Sequence, residues 1–131
     1  MTTALLDPAY SIGAVAVHTG LSQYTLRWYE RIGLLAEVRR DPAGQRRYTD
    51  RDLALLDLVK HLRTTGMPVA EMVRYAQLAR SGAATAPERR SLLEAHREHV
   101  RERIAELAGC LDVLDRKIDY YRGAAPAPRE A

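Results

Sequence analysis

The fold is decided by residues 22–35, which read SQYTLRWYERIGLL. Ser22 is a residue type whose side chain accepts a hydrogen bond from the free N–H groups of a helix's first turn. A helix is therefore predicted over residues 23–31. Gly33 is the residue type that most readily adopts the left-handed conformation after a helix, so the helix is expected to stop there.

Another short helix is predicted just before this stretch, over residues 12–18. It is the first helix of the chain, and the helix over 23–31 is the second. Ser11 can cap it, and the apolar side chains that follow recur at spacings of three and four. Residues 19–21, Thr-Gly-Leu, interrupt the pattern. Two short helices joined by a glycine-containing turn are typical of a helix-turn-helix.

A β-hairpin is predicted after the second helix, over residues 38–48. Residues 41–44, DPAG, supply the chemistry of a turn, and two arginines lie on each arm. A hairpin in this position is a wing. Because neighbouring strand residues point to opposite faces, only one of Arg46 and Arg47 can face a ligand, and the other is expected to pair with Glu37 or Asp41.

Two more helices are predicted between the hairpin and residue 80. Thr49 and Asp52 have the spacing of a capping box and precede a helical pattern of apolar residues. Residues 65–68, TGMP, end that helix and begin a fourth. Residues 81–87, SGAATAP, are interpreted as a linker of small residues.

The chain from residue 88 to 122 is predicted to form one long helix with a heptad seam. Arg97 is the one polar residue in the seam, whose apolar members are Leu93, Val100, Ile104, Leu107, Leu111, Leu114, Ile118 and Tyr121. At ~50 Å the helix is too long to bury this narrow stripe on about 80 preceding residues. We therefore expect a homodimer in which the same helix of a second copy covers it.

Composition restricts the function further. The 131 residues carry 20 basic and 17 acidic side chains, a formal charge of +3. Residues 1–80 hold 11 basic and 8 acidic side chains and residues 81–131 hold 9 of each, so a polyanion-binding head is expected. No apolar run approaches the ~20 residues of a membrane span, and no export signal is evident, which predicts a cytoplasmic protein. No arrangement of residues indicates an enzyme.

The residue pattern strongly resembles the MerR family of bacterial transcription regulators. The resemblance lies in YSIG at 10–13, TGLS at 19–22, TLRWYERIGLL at 25–35 and RRY at 46–48. It continues through Leu62-Arg63 and Gly66-Met67 to about residue 77, and the long helix extends it to about 121.

The resemblance implies a mainly α fold: a winged helix-turn-helix head over 10–80 and an antiparallel coiled-coil dimerisation helix over 88–122. Residues 1–9 and 123–131 are expected to be flexible. The implied function is sequence-specific binding of a homodimer to a pseudo-palindromic promoter. The dimer would bend and untwist an over-long spacer so that RNA polymerase engages both promoter elements.

The expected DNA contacts come from the second helix, the wing and the end of the third helix. Arg27 resembles the arginine with which the family clamps the DNA backbone, while core packing is an equal alternative for Trp28 and Tyr48. The full set is Ser22, Gln23, Tyr24, Arg27, Trp28, Arg39, Arg40, Gly44, Arg46, Arg47, Tyr48, Lys60 and Arg63.

A small effector is expected, and the sequence offers few residues to bind it. Candidates are Met72 and Tyr75 on the fourth helix, with His96, His99 and Cys110 on the long helix. No cofactor and no metal site are expected, because one cysteine cannot supply a thiolate cluster. Two alternatives remain: an architectural protein that bends DNA without an effector, and a metal or redox stress sensor.

Overall fold

A computed structural model of the chain describes residues 10–36 and 38–123. In chain order its elements are β1 (Tyr10–Ser11), α1 (Ile12–Thr19), α2 (Gln23–Arg31), β2 (Arg39–Arg40), β3 (Arg46–Tyr48), α3 (Asp50–Thr64), α4 (Val69–Arg80), a 3-10 turn (Ala83–Thr85) and α5 (Ala86–Gly123). The expectations for residues 1–9, Glu37 and 124–131 lie outside the described residues.

The helix-turn-helix forms as its capping residues predict. The Ser11 hydroxyl accepts from the Ala14 N–H at the start of α1, and the Ser22 hydroxyl accepts from the Thr25 N–H at the start of α2. Gly33 follows α2 with a φ of +85°, a conformation that residues with a Cβ rarely adopt. The chain can therefore turn sharply after α2 and send Leu34 into the core.

The wing belongs to a three-stranded antiparallel sheet in the order β1, β3, β2. Tyr10 lies opposite Tyr48 on one side of β3, and Arg39 lies opposite Arg47 on the other. The Tyr10 hydroxyl donates to an Asp50 carboxylate oxygen at 2.6 Å, which raises the pKa of that tyrosine. The sequence predicted two strands only, because a two-residue β1 has no periodicity of its own and pairs with residues far along the chain.

The core contains side chains from α1 to α4, from the end of β3 and from the segment that follows α2. Its fully buried side chains include Val15, Leu26, Tyr29, Leu34, Leu35, Tyr48, Leu56, Val59 and Met72. Leu26 and Tyr29 both face inward, as their three-residue spacing on α2 predicts. Trp28 and Leu93 are half-buried and pack against this cluster.

The predicted capping box fixes the start of α3. The Thr49 hydroxyl accepts from the Asp52 N–H at 3.0 Å, and the Asp52 carboxylate accepts from the Thr49 N–H at 2.9 Å. Aspartate therefore serves where glutamate is more usual. The box joins Thr49, the residue that follows the wing, to the first turn of α3.

The chain divides into two compact units at Leu93, and we call the described residues up to Leu93 the head. The predicted linker 81–87 contains the 3-10 turn, in which the Thr85 hydroxyl donates to the Gly82 carbonyl, and α5 begins at Ala86 rather than at 88. Leu93, expected at the dimer seam, is half-buried and packs against the head's own core. None of the described helices has the length and apolarity required to cross a membrane.

Replacement of Thr49 tests the capping box. Thr49→Ala removes the hydroxyl that accepts the Asp52 N–H, so the free energy of unfolding should fall by about 1 kcal/mol. Urea denaturation at a fixed protein concentration measures this decrease. Thr49→Ser keeps the hydroxyl and should retain most of the stability; equal decreases in the two variants would contradict the assignment.

Candidate nucleic-acid interface

The outward surface of α2 carries the side chains best placed to enter a DNA groove. Gln23 and Tyr24 are exposed, and Arg27 is half-exposed. The Arg27 guanidinium donates to the Gln23 side-chain oxygen at 3.3 Å, so the two side chains of successive turns lie together. Both groups can hydrogen-bond to bases or phosphates, which suits the second helix of a helix-turn-helix.

Arg31, which was not among the expected DNA contacts, belongs to the same surface. It is exposed, and its guanidinium lies 5.9 Å from the centre of the Tyr24 ring, a cation-π geometry. The signal was present in the sequence, since Arg31 follows Arg27 by four positions and so shares its face. We call Gln23, Tyr24, Arg27 and Arg31 the recognition face.

Two expected contacts of this region have structural roles as well. Trp28 is half-buried, and its ring lies 5.5 Å from that of Tyr29. The Ser22 hydroxyl accepts the Thr25 N–H and donates to the Thr25 hydroxyl oxygen at 3.0 Å. These contacts orient α2, so both residues support the recognition face whether or not they touch DNA.

The wing arginines form two cross-strand pairs of like charge. Arg40 lies opposite Arg46 on one face of the hairpin, and Arg39 lies opposite Arg47 on the other. Like charges directly opposite each other destabilise a strand pair. In this wing, one arginine of each pair has an acidic partner.

Glu30, in the last turn of α2, neutralises the first pair. Its Oε1 accepts from the Arg46 Nε at 2.8 Å, and its Oε2 accepts from the Val38 backbone N–H at 3.4 Å. Both side chains of the ion pair are about four-fifths buried, so solvent screens the contact less than a surface salt bridge. One carboxylate therefore binds both arms of the wing to the recognition helix.

Asp41 neutralises the second pair and also builds the turn. Its Oδ2 accepts from the Arg47 Nε at 3.2 Å, which confirms one of the two pairings expected for this strand. Its Oδ1 accepts from the Ala43 and Gln45 N–H groups, both at 3.0 Å. The Gln45 N–H above all, with Arg47 and Ala43, lowers the pKa of Asp41.

Arg39 and Arg40 carry the wing's remaining positive charge. Both are exposed, and among the described residues neither has an acidic partner; Arg40 donates to the Gly44 carbonyl at 3.0 Å. Gly44 turns the chain with a φ of +84°, with no atom within 4 Å of the place a Cβ would occupy. Of the four wing arginines, these two are the ones free to neutralise phosphates.

Tyr48 is corrected from a DNA contact to a core residue. Its side chain is fully buried, and burial raises the pKa of its hydroxyl. Among the described residues the hydroxyl has no hydrogen-bond partner. A side chain enclosed in this way does not reach a phosphate.

Lys60 and Arg63 lie near the end of α3, as expected for a second wing. Both are exposed. The Arg63 guanidinium donates to the Tyr29 hydroxyl at 3.3 Å, which connects α3 to the recognition helix. Of the two, Arg63 is thus held in place by a contact to the core.

The expected effector residues have different surroundings. Met72 is buried in the core, whereas Tyr75 lines a cavity of the head. On α5, His99 Nδ1 lies 3.9 Å from a Glu102 oxygen, and Cys110 is an exposed free thiol. Within residues 10–36 and 38–123, no three side chains of His, Cys, Asp or Glu are grouped to hold a metal ion.

A capped two-helix turn, a basic wing bound to the second helix and a further pair of helices define a winged helix-turn-helix DNA-binding protein. The family described as "MerR HTH family regulatory protein" matches residues 10–78, and the family described as "MerR, DNA binding" matches residues 53–117. The chain belongs to the MerR family and is a DNA-binding transcriptional regulator.

Proteins that are similar to this chain in sequence or structure also carry the name of transcriptional regulators. An uncharacterised HTH-type transcriptional regulator of Haemophilus influenzae is 42% identical over 115 residues, 88% of this chain and 85% of that one. The crystal structure of HiNmlR, a MerR family regulator lacking the sensor domain and bound to promoter DNA, is 42% identical, with a TM-score of 0.76 over 86% of this chain and 90% of that one. A MerR family regulator from Listeria monocytogenes, 32% identical, has a TM-score of 0.82 over 88% and 87% of the two chains.

Titration of Asp41 tests the construction of the wing. Carbon-detected NMR should give Asp41 a pKa below 3.8, its ordinary value. Because the folded pKa is the lower one, the stability that Asp41 contributes is complete above pH 3.8 and is lost as the pH falls through the folded pKa.

Arg47→Gln should raise the Asp41 pKa part of the way back, since the backbone N–H donors remain. Arg39→Gln serves as the control, because Arg39 lies opposite Arg47 but is not a partner of Asp41. An Asp41 pKa at or above 3.8 in the unmodified protein would show that the turn is built differently.

Proposed function

We propose that the protein acts as a homodimer that binds a pseudo-palindromic promoter and distorts its spacer to control transcription in response to a small effector. The observation that carries the proposal is the exposed apolar stripe of α5 in a chain that also presents a recognition face. A dimer offers two such faces related by a two-fold axis, which is the symmetry of a pseudo-palindrome.

The stripe on α5 supports self-association. Ile104, Leu107, Leu111, Leu114 and Ile118 are each between 46% and 60% exposed on a helix of 38 residues. They recur at the three- and four-residue steps of a heptad, and a helix buries such a seam best against another long helix. The proposed antiparallel arrangement would place the two heads at opposite ends of the coiled coil.

The charges of the head support a backbone-dominated mode of DNA binding. Arg39 and Arg40 on the wing and Lys60 and Arg63 on α3 are exposed. Such contacts position a protein on the duplex, while the recognition face reads base edges. Contacts on both sides of α2 would let the dimer hold a bent duplex, whose deformation energy the extra contacts offset.

Effector control requires that the ligand bind one arrangement of the two heads better than another. RNA polymerase would then engage both promoter elements only when the spacer is distorted. A DNase I footprint limited to one two-fold symmetric site, with enhanced cleavage at its centre, is the expected result. Uniform protection of any duplex would instead favour the architectural alternative.

The metal or redox sensor alternative depends on His96, His99 and Cys110. If it held, joint replacement of these three residues by Ala would abolish a transcriptional response to a metal or an electrophile. We expect the triple replacement to leave any response to a metal or an electrophile unchanged, because the described residues of α5 bring no metal-binding group of side chains together.

Replacement of Leu107 tests the dimer. Leu107→Glu places a charge in the seam, so sedimentation should show monomers and promoter binding should be abolished. Ala105→Glu adds the same charge on the opposite side of α5, where Ala105 is exposed, and should leave a dimer. A Leu107→Glu protein that sediments as the dimer would refute the seam.

The salt dependence of binding tests the wing. Removing one phosphate contact should reduce the slope of log affinity against log salt concentration by about 0.9, so Arg40→Gln in a dimer should reduce it by about 1.8. Arg101→Gln removes an arginine of α5 that pairs with Glu98 and should leave the slope unchanged. Equal slopes for the two variants would exclude Arg40 as a phosphate contact.

A further inference from the structure

The head contains a cavity of about 560 Å³ on the Arg39 and Arg47 face of the hairpin. The side chains of Leu55, Leu58 and Tyr75, from α3 and α4, give it an apolar wall. Its volume lies within the range of small-molecule sites, which combine an apolar lining with a few convergent polar groups.

Five of the residues that line this cavity are arginines, and they come from five different elements. Arg39 comes from β2, Arg47 from β3, Arg51 from α3, Arg80 from α4 and Arg89 from the first turn of α5. The fold brings them to one cavity although they are far apart in the sequence. We call this site the arginine cavity.

Three of these arginines are held by neutral oxygens. Arg51 donates to the Ala79 carbonyl at 3.2 Å, Arg80 to the Gly33 carbonyl at 2.8 Å, and Arg89 to the Gly82 carbonyl at 3.1 Å. Backbone carbonyls hold these guanidinium groups in place without neutralising their charges. Less side-chain freedom then remains to be lost when a ligand binds.

Acidic groups of the described residues offset little of this charge. Among the described residues that line the cavity, Asp52 is the one acid, and its carboxylate already accepts the Thr49 N–H in the capping box. Arg47 pairs with Asp41 through its Nε. The other four arginines have no carboxylate partner among the described residues.

We propose that the arginine cavity binds a small organic anion: a carboxylate on an aromatic or aliphatic body of one or two rings. The guanidinium forks would hold the carboxylate by charge-assisted hydrogen bonds, and the apolar wall would cover the body. A DNA phosphate offers no such body, so the apolar half of the site favours a small molecule. This proposal rests on the proposed function in one respect, which is that the bound anion serves as the small effector.

Occupancy would connect the wing to the helices behind it. The carboxylate would bridge arginines of β2 and β3 to arginines of α3 and α5, so a ligand bound in this way stabilises one position of the wing. A ligand shifts an equilibrium only by its difference in affinity between two states. A ligand that bridges several elements would bind more tightly to the arrangement in which those elements are close together.

Calorimetric titration of the whole 131-residue protein tests the ligand class. The probe is 2-naphthoate, and the control is 2-naphthamide, which has the same ring system without the charge. We expect 2-naphthoate to bind and the neutral amide to bind about tenfold more weakly or not at all. Equal binding of the two, or no binding of 2-naphthoate, would overturn the proposal without using any variant.

Variants locate the site. Arg51→Gln and Arg89→Gln should each weaken 2-naphthoate binding by about tenfold. Arg74→Gln, on the same head but paired with Glu88 outside the cavity, should bind 2-naphthoate as the unmodified protein does. Unchanged affinity in both cavity variants would overturn the assignment.

Promoter binding by the same variants separates this proposal from the proposed function. We expect the Arg51→Gln variant to bind a promoter duplex as tightly as the unmodified protein does. We also expect 2-naphthoate to stay bound to the unmodified protein when the duplex is added. Displacement of 2-naphthoate by the duplex would assign the cavity to DNA and overturn the ligand proposal. If the Leu107→Glu monomer alone bound 2-naphthoate, the second copy in the dimer would be what occupies the cavity. That result would also overturn the ligand proposal.

Discussion

The geometry of the interface depends on one carboxylate, that of Glu30. It lies at the end of α2, where a negative charge is unfavourable beside the helix's free carbonyls, and Arg46 compensates for it at 2.8 Å. The same contact reduces the repulsion between Arg46 and Arg40 across the hairpin. Without Glu30, this face of the wing would hold two opposed positive charges and would have no ionic connection to the helix it flanks.

The local features of the fold were predictable from the sequence because their causes are local. The caps at Ser11 and Ser22, the capping box of Thr49 and the turn at Gly44 each involve residues within four positions of one another. The inward face of α2 followed from the three-residue spacing of Leu26 and Tyr29. The long helix followed from its heptad pattern, and the family resemblance from the combination of short motifs.

The remaining features depend on contacts between distant residues. β1 exists because it pairs with β3, and Arg46 meets Glu30 across 16 positions. From the sequence Tyr48 could equally contact DNA or pack in the core, and it is buried because of what packs against it. The arginine cavity has no sequence pattern, since its five arginines come from five elements.

The central position of β3 gives the wing two arms of unequal stiffness. β3 is hydrogen-bonded on both sides and ends at the fully buried Tyr48, whereas β2 is a two-residue edge followed by the exposed turn at 42–44. In a DNA complex the outer arm, which carries Arg39 and Arg40, would be displaced more easily than the inner one. Because the Val38 N–H at the start of the outer arm donates to Glu30, such a displacement would reach the recognition helix and relate the shape of the groove to the reading of bases.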